Sequence, residues 1–175
     1  PLVVMVNRLS ASASEIFAGA IQDYQRGIII GSQTFGKGTV QSLIHLNRGQ
    51  LKLTQAKFYR ISGESTQHQG VIPDIFYPAS YDSESIGEST LDEPLPWDKI
   101  DPAEFRIKAN LSTYVPDLRH RHQDRVRGNA EFDYLSGALD YRKNRSNEKS
   151  ITLNQAARIQ RKEEADSFWV ALENK

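Results

Sequence analysis

The stretch LVVMVNRLSASASEIFAGAIQDYQRGIIIG, residues 2–31, decides the fold of this chain. It opens with a continuous apolar run at residues 2–6, which predicts a strand buried on both faces. Helical spacing predicts a helix over residues 12–26 that ends at the C-cap Gly27, with an apolar stripe of Ile16, Phe17, Ala20, Ile21 and Tyr24. Residues 27–31 predict a second buried strand. A strand, a helix and a strand in this order indicate a parallel βαβ unit of an α/β protein.

The rest of the first zone, residues 1–79, adds further strands. Residues 40–46 and 51–60 predict two strands joined by a hairpin turn. Residues 71–75 predict a short edge strand, because Pro73 lacks an amide donor. A domain seldom begins with its central strand, so we expect the chain to be the C-terminal piece of a longer protein.

Composition separates two further zones. Residues 80–104 form an acidic connector in which eight Asp and Glu residues accompany a single lysine. We expect this connector to wrap over a surface or to be partly disordered. Residues 105–175 have a helical pattern, with Asn129 as an N-cap and a last helix that begins near Thr152 or Asn154. The sequence therefore predicts an α/β core followed by a mainly helical C-terminal domain.

The composition excludes several classes of function. The chain has 175 residues, with 22 basic side chains, 22 acidic ones and no Cys. The lack of Cys excludes zinc–thiolate sites, iron–sulfur clusters, disulfides and Cys nucleophiles. A net charge of zero argues against a nucleic-acid partner, and the basic residues 119–127 are interpreted as a solvated helix. No apolar run approaches the roughly 20 residues of a membrane span, so no integral membrane segment is predicted.

Ser12 lies between the first strand and the helix, and two interpretations of it are open. At this turn its hydroxyl would stand at the carboxyl end of a strand. The amides at the start of the helix would point towards a developing oxyanion, so that Ser12 could act as a nucleophile. Ser12 and Glu15 also fit the S-x-x-E capping box, in which the serine only caps the helix.

A lysine flanked by two glycines follows the second strand. The carboxyl ends of parallel strands meet at one edge of a sheet, so Lys37 can lie near Ser12. A lysine acts as a general base when desolvation keeps its amine neutral, and Gly36 and Gly38 permit close backbone approach. The alternative is an ordinary solvated lysine on a surface loop.

Two motifs carry a family resemblance. Residues 3–16, VVMVNRLSASASEI, and residues 33–41, QTFGKGTVQ, closely resemble the C-terminal processing peptidases, and best their tail-specific protease branch. Residues 56–59 and 68–75 support the match, and residues 151–154 resemble the C-terminal extension of that branch. The resemblance spans nearly the whole chain. It implies a crotonase-like α/β core that lacks its first half and is followed by a helical extension.

The resemblance implies a serine endopeptidase that works by acyl transfer through a Ser–Lys dyad. It assigns the nucleophile to Ser12 and the general base to Lys37, with Gln41 orienting the lysine amine and the Ala13 N–H as one oxyanion donor. It also carries over Asp23, although a continuous helix would place this residue roughly 16 Å from Ser12, where bracing a neighbouring segment is the expected role. The second oxyanion donor and the PDZ module of the family lie upstream, so the chain alone is expected to be inactive.

The resemblance also implies partners and a location. The expected substrates are proteins or peptides with apolar, unstructured C-termini, and neither a cofactor nor a metal is expected. The expected location is the periplasm, with association with the inner membrane face and an adaptor lipoprotein as open possibilities. Two alternatives from other classes remain: a non-catalytic binding or scaffold lobe in which Ser12 is only a helix cap, and a crotonase-type acyl-thioester enzyme.

Overall fold

A computed structural model describes residues 1–81, 84–107 and 109–174, so Asp82 of the acidic connector lies outside the described residues. The chain divides into two compact units, residues 1–120 and 121–175. The predicted zone boundaries at residues 79/80 and 104/105 stay a prediction. In chain order the elements are β1 (Val3–Val6), α1 (Ala13–Asp23), β2 (Ile28–Gly31), β3 (Thr39–His45), β4 (Gln50–Lys57), β5 (Ile75–Phe76), two short 3-10 helices (Glu88–Thr90 and Leu111–Thr113), α2 (Val115–Val126), α3 (Ala130–Ser146) and α4 (Gln155–Glu173).

The first unit contains a parallel sheet in the order β1–β2–β5. Strand β2 pairs in parallel with both neighbours, and Ile30 lies opposite Ile75. The parallel βαβ unit and the α/β class are therefore confirmed. The edge strand predicted over residues 71–75 is shorter than expected, because pairing begins only at Ile75 and ends at Phe76.

Helix α1 packs against one face of this sheet. The buried core consists of Val6, Ala18, Ile29 and Val71, with Val4 and Ile21 packed against it. The prediction that the first strand is buried on both faces is wrong, since Val3 is 53% exposed and Met5 is 81% exposed. Successive strand residues point to opposite faces, and Val4 and Val6 are the ones that point towards the core.

The helix buries a different face from the predicted one. Ile16 and Phe17 are largely exposed, whereas Glu15, Ala18 and Gly19 are buried. Small residues such as Ala18 and Gly19 let the helix pack closer to its neighbours than a stripe of large apolar side chains would. The predicted stripe was therefore wrong for two of its members, and an acidic residue takes a place in the interior.

The end of α1 also differs from the prediction. The helix ends at Asp23 with Tyr24 as its C-cap, and Gln25 takes a left-handed backbone with a φ of 49°. Gly27 is therefore not the C-cap. It is needed for a close approach, because a Cβ there would lie only 2.7 Å from the carbonyl oxygen of Leu2.

The predicted hairpin is confirmed. Strands β3 and β4 pair antiparallel up to His45 and Gln50, which lie opposite each other at the turn. The second strand ends at Lys57 rather than at residue 60. Most side chains of the hairpin are exposed.

The described part of the connector follows the surface of the first unit. Asp98 Oδ1 accepts from Lys57 Nζ at 2.7 Å, and the Ile100 N–H donates to the Gly63 carbonyl at 2.9 Å. These contacts attach the connector to the end of β4 and to the loop that follows it.

The second unit is helical. Asn129 and Asn154 cap α3 and α4, and each side chain accepts the amide three residues further on, at 2.8 Å and 3.0 Å respectively. The predicted N-cap at Asn129 is confirmed, and of the two predicted starts of the last helix the structure has the one at Asn154. The two helices contact each other through aromatic side chains, with the rings of Tyr141 and Phe168 stacked at a centroid distance of 4.3 Å.

Candidate active site

Ser12 has a backbone conformation that residues with a side chain seldom adopt. It lies at the turn between β1 and α1, with a φ of 57° and a ψ of −114°. The ordinary N-cap residues Asn129 and Asn154 have φ values of −85° and −67°. A positive φ of this kind costs about 1–3 kcal/mol and persists where the surroundings impose it. Sharp strand-to-helix turns with a strained serine expose its hydroxyl as a nucleophile elbow.

The carboxylate of Glu15 is fully buried and accepts four hydrogen bonds. Its Oε1 accepts the Thr34 hydroxyl and the Gly36 N–H, both at 2.6 Å. Its Oε2 accepts the Ser12 N–H at 2.8 Å and the Lys37 N–H at 2.9 Å. A buried carboxylate without partners would be strongly unfavourable, so these four donors are what stabilises it. Glu15 thereby ties the turn at Ser12 to the loop at Lys37.

The backbones of Ser12 and Lys37 meet at one oxygen atom, but their side chains are not joined. Lys37 is half-buried, and its Nζ donates to the Thr39 carbonyl at 3.3 Å. Among the described residues, no hydrogen bond links Lys37 Nζ to Ser12. The structure thus places the two residues side by side through their main chains.

Gln41 and Asp23 have other partners. Gln41 is exposed, and its Nε2 donates to Thr54 Oγ1 at 3.2 Å across the hairpin. Asp23 is the last residue of α1 and forms an ion pair with Arg60, in which both side chains are largely shielded from water. Within the part of the chain that the structure describes, neither residue forms a hydrogen bond with Ser12 or Lys37.

The Ala13 N–H is placed to contact an anion. Ala13 is the first residue of α1, and its N–H donates to no acceptor among the residues that the structure describes. The first amides of a helix have no partner inside the helix and lie at the positive end of its dipole. Ala13 can therefore stabilise negative charge that develops next to the Ser12 side chain.

Two residues of this region were not identified from the sequence. The sequence indicates Glu15 only as a partner in a helix cap, and no motif marks Gln67. The three consecutive amides of residues 36–38 all donate to these two side chains, since the Gly38 N–H donates to Gln67 Oε1 at 2.9 Å. An acidic residue at the start of a helix, close to the buried Ala18, is the signal that could have drawn attention to Glu15.

Comparison with known proteins gives two family matches that together cover nearly all of the chain. Residues 1–77 match Peptidase family S41, and residues 81–175 match the C-terminal domain of tail specific protease. The chain belongs to the tail-specific proteases. The predicted resemblance to the C-terminal processing peptidases is confirmed, as is the fold class, an α/β protease core followed by a mainly helical extension. Ser12, Glu15 and Lys37 all lie in the peptidase match.

Individual relatives are considerably longer than this chain. A tail-specific protease of Haemophilus influenzae is 45% identical over 87% of this chain and 24% of that protein. A carboxy-terminal-processing protease of Bartonella bacilliformis is 55% identical over 43% of this chain and 18% of that protein. A solved photosystem II D1 C-terminal processing protease is 45% identical, covering 44% of this chain and 20% of its own, with a TM-score of 0.42. The chain therefore spans less than a quarter of the length of these relatives.

Proposed function

We propose that Ser12 and Lys37 form the nucleophile and general base of a serine endopeptidase. The observation that carries the proposal is that one oxygen of Glu15 accepts the main-chain amides of both residues. The positive φ of Ser12 supports it, because backbone strain is retained where a side chain must be presented for function. The peptidase match of residues 1–77 supports the coarser statement that this segment belongs to a serine-type peptidase.

Peptide cleavage proceeds by acyl transfer in this proposal. Neutral Lys37 Nζ takes the hydroxyl proton while Ser12 Oγ attacks the scissile carbonyl carbon, and the Ala13 N–H stabilises the oxyanion. The protonated lysine then gives its proton to the leaving amine as the peptide C–N bond breaks. Lys37 next deprotonates a water molecule, which attacks the acyl carbon on Ser12. The lysine then returns this proton to Ser12 Oγ as the acyl C–O bond breaks and the second product leaves.

The side-chain contacts in this structure correspond to a resting arrangement. For the reaction, Lys37 Nζ leaves the Thr39 carbonyl and turns towards Ser12 Oγ. Gln41 leaves Thr54 and orients the lysine amine. The proposal assigns both changes to rotations of side chains. The main-chain amides of Ser12 and Lys37 stay on Glu15 Oε2 throughout.

The substrates and location are inferred from the family. We infer substrates with apolar, unstructured C-termini, and we assign the second oxyanion donor and a peptide-binding PDZ module to the additional length of the relatives. The 175-residue chain alone is accordingly proposed to be inactive. A periplasmic location, associated with the inner membrane face, is proposed on the same ground. Among the described helices, none has the length and apolar character needed to cross a membrane.

Proteolysis by a full-length tail-specific protease that carries residues 1–175 tests the proposal. Ser12→Ala and Lys37→Ala should each lower kcat/KM for a peptide with an apolar C-terminus on the order of a thousandfold or more. Ser12→Ala should also abolish labelling by a fluorophosphonate. Ser14→Ala is the matched control, because Ser14 is an exposed serine two residues further on, in the first turn of α1.

A non-catalytic binding or scaffold lobe is the second candidate. It is favoured by the capping box at the start of α1, in which the Ser12 N–H donates to Glu15 Oε2 and the Ser12 side chain faces the Glu15 N–H. The lack of a hydrogen bond between Ser12 and Lys37 Nζ in the described part of the chain also favours it. In this case Ser12→Ala leaves proteolysis intact and lowers the free energy of unfolding by about 1 kcal/mol.

A further inference from the structure

The main chain at Gly38 depends on a side chain that is itself oriented from the connector. The Gly38 N–H donates to Gln67 Oε1 at 2.9 Å, and Gln67 Nε2 donates to Glu88 Oε1 at 3.0 Å. Gln67 is fully buried and Glu88 is half-buried. A glutamine amide offers a donor on one side and an acceptor on the other. Because an ionised Glu88 accepts hydrogen bonds only, it fixes Nε2 on its own side and leaves Oε1 for Gly38.

Gly38 packs directly on the main chain of Gln67. A Cβ at Gly38 would lie 2.5 Å from the Gln67 nitrogen and 2.9 Å from its Cα, so the position accepts no side chain. The neighbouring Gly36 carbonyl accepts the His68 N–H at 2.7 Å. Residues 32–38, between β2 and β3, form the loop that carries Lys37, the lysine loop. A change in the position of Gln67 is passed on to the lysine loop, because closely packed groups cannot move independently.

Glu88 is held against the same loop from two directions. Its own N–H donates to the Phe35 carbonyl at 3.0 Å. Arg8 is 1% exposed, and its guanidinium joins the connector to the loop that carries Lys37. It donates to the Ile86 carbonyl and Ser89 Oγ, on either side of Glu88, and to the Thr34 carbonyl in the loop. A buried guanidinium with several acceptors is a rigid anchor, so the Glu88 carboxylate has a defined place beside Gln67.

We propose that Glu88 is a positioning residue for Lys37, acting through Gln67 on the Gly38 amide. The proposal rests on the function proposed above for Lys37. Glu88 lies in the stretch that matches the C-terminal domain of tail specific protease, whereas Gly38 lies in the peptidase match. The connector, which lies in the same compact unit, thereby contributes to the geometry of the loop that carries the base. A base is effective only when its supporting groups fix it within a fraction of an ångström.

Amide hydrogen exchange of the 175-residue chain tests the Glu88–Gln67–Gly38 relay without requiring activity. Glu88→Ala should speed exchange at Gly38 about tenfold and leave Gly36 within about twofold, since one hydrogen bond is weakened locally. Glu88→Gln keeps an acceptor oxygen and should restore the protection of Gly38. Asp92→Ala removes the same charge from an exposed connector position and is the matched control. Unchanged exchange at Gly38 in Glu88→Ala overturns the proposal.

Kinetics of the full-length protease separate positioning from stability. Glu88→Ala should lower kcat about tenfold with KM within about twofold, and Glu88→Gln should recover kcat. If exchange accelerates at every amide together, Glu88 is merely structural and the positioning role is wrong. The role is also wrong if Gly38 exchange rises while kcat stays constant. A fully active Lys37→Ala protein overturns the proposed function itself, and the exchange result distinguishes that failure from a failure of the relay.

Discussion

Glu15 Oε2 accepts the main-chain N–H of Lys37 at 2.9 Å, across 22 positions of sequence. The same oxygen accepts the N–H of Ser12 at 2.8 Å. The Glu15 side chain is fully buried, so the two main chains meet at a charged atom that water does not reach. An ionised carboxylate is stable in such a place only while its hydrogen bonds are made. The geometry of the proposed dyad and the stability of the fold therefore depend on the same contacts.

Replacing Glu15 should destabilise the protein. In Glu15→Gln an NH₂ group replaces one carboxylate oxygen. This group cannot accept the hydrogen bonds of the donors that it faces. Each buried donor left without an acceptor costs about 1–3 kcal/mol, so we expect the free energy of unfolding to fall by about 2–4 kcal/mol. Urea unfolding measures this fall from the shift in midpoint at constant slope.

Glu131→Gln is the matched control for this substitution. Glu131 also lies in the first turn of a helix, α3, but it is exposed. Its replacement should change the free energy of unfolding by less than about 0.5 kcal/mol. Equal effects of the two substitutions would contradict our account, because Glu15 would then contribute only as a first-turn charge near a helix dipole.

Gly70 leaves room for the hydrogen bond between Thr34 and Glu15. Its φ is +69°, and a Cβ there would lie 2.5 Å from Thr34 Oγ1, whose hydroxyl donates to Glu15. Gly49 in the hairpin turn has a φ of +82° and open space around it. Both alanine substitutions incur the cost of a positive φ, about 1–2 kcal/mol. Gly70→Ala should therefore destabilise by at least about 1 kcal/mol more than Gly49→Ala, as thermal unfolding measures. Equal Tm values for the two variants would rule out a steric requirement at Gly70.

Local sequence signals predicted the parts of the fold that depend on neighbouring residues. The caps at Asn129 and Asn154 each join a side chain to an amide three positions away. The hairpin and the βαβ order also depend on short-range patterns of turn residues and apolar runs. Such interactions form wherever the local sequence permits them, so they can be predicted without knowledge of the rest of the molecule.

The Glu15 contacts could not be predicted in this way. Helical spacing indicated a buried stripe that includes Ile16 and Phe17, but the residue that enters the interior is Glu15. Three of its four donors come from residues 34–37, which reach it only after β2 has been placed beside β1. The S-x-x-E pattern predicts a contact with Ser12 and carries no information about these distant donors. The side-chain positions of Lys37 and Gln41 depend on long-range packing for the same reason.

Asp23 should contribute to stability rather than to proteolysis. It pairs with Arg60, and the two side chains are 7% and 12% exposed. Asp23→Ala leaves the largely shielded Arg60 guanidinium without its carboxylate and with Gln22 Oε1, at 2.9 Å, as its remaining side-chain acceptor. We expect the free energy of unfolding to fall by about 3 kcal/mol, the lower end of the cost of breaking a buried ion pair. A double-mutant cycle with Arg60→Ala measures the coupling. In the full-length protease, Asp23→Asn should keep kcat/KM as long as the protein is folded. A loss of kcat at unchanged stability would instead assign Asp23 to the catalytic machinery.

Asp98 should make the attachment of the connector sensitive to acid. The Lys57 ammonium donates to Asp98 and holds the pKa of its carboxyl below the ordinary value of 3.8, and the hydroxyl of Tyr59 acts in the same direction. The folded pKa lies below the unfolded one. The stabilisation is therefore fully present above 3.8 and is lost as the pH falls through the folded pKa. Asp98→Asn, compared with the unaltered chain by urea unfolding, should show a stability difference that disappears in acid.

Tyr59 should make the cluster of Lys57, Tyr59 and Asp98 lose stability at alkaline pH. Its hydroxyl donates to Asp98 Oδ2 at 3.0 Å, and this hydrogen bond raises the pKa of Tyr59 above its ordinary value of 10.0. Its stabilisation is present below 10.0 and is lost as the pH rises through the folded pKa, because a phenolate cannot donate and repels the carboxylate. Tyr59→Phe should remove the alkaline loss and leave most of the acid loss, since Lys57 still contacts Asp98. The control for the Asp98→Asn experiment is Asp92→Asn, which changes an exposed residue of the same connector. If Asp92→Asn changed the acid dependence as much as Asp98→Asn, the effect would come from the net charge of the connector and not from the Lys57 contact.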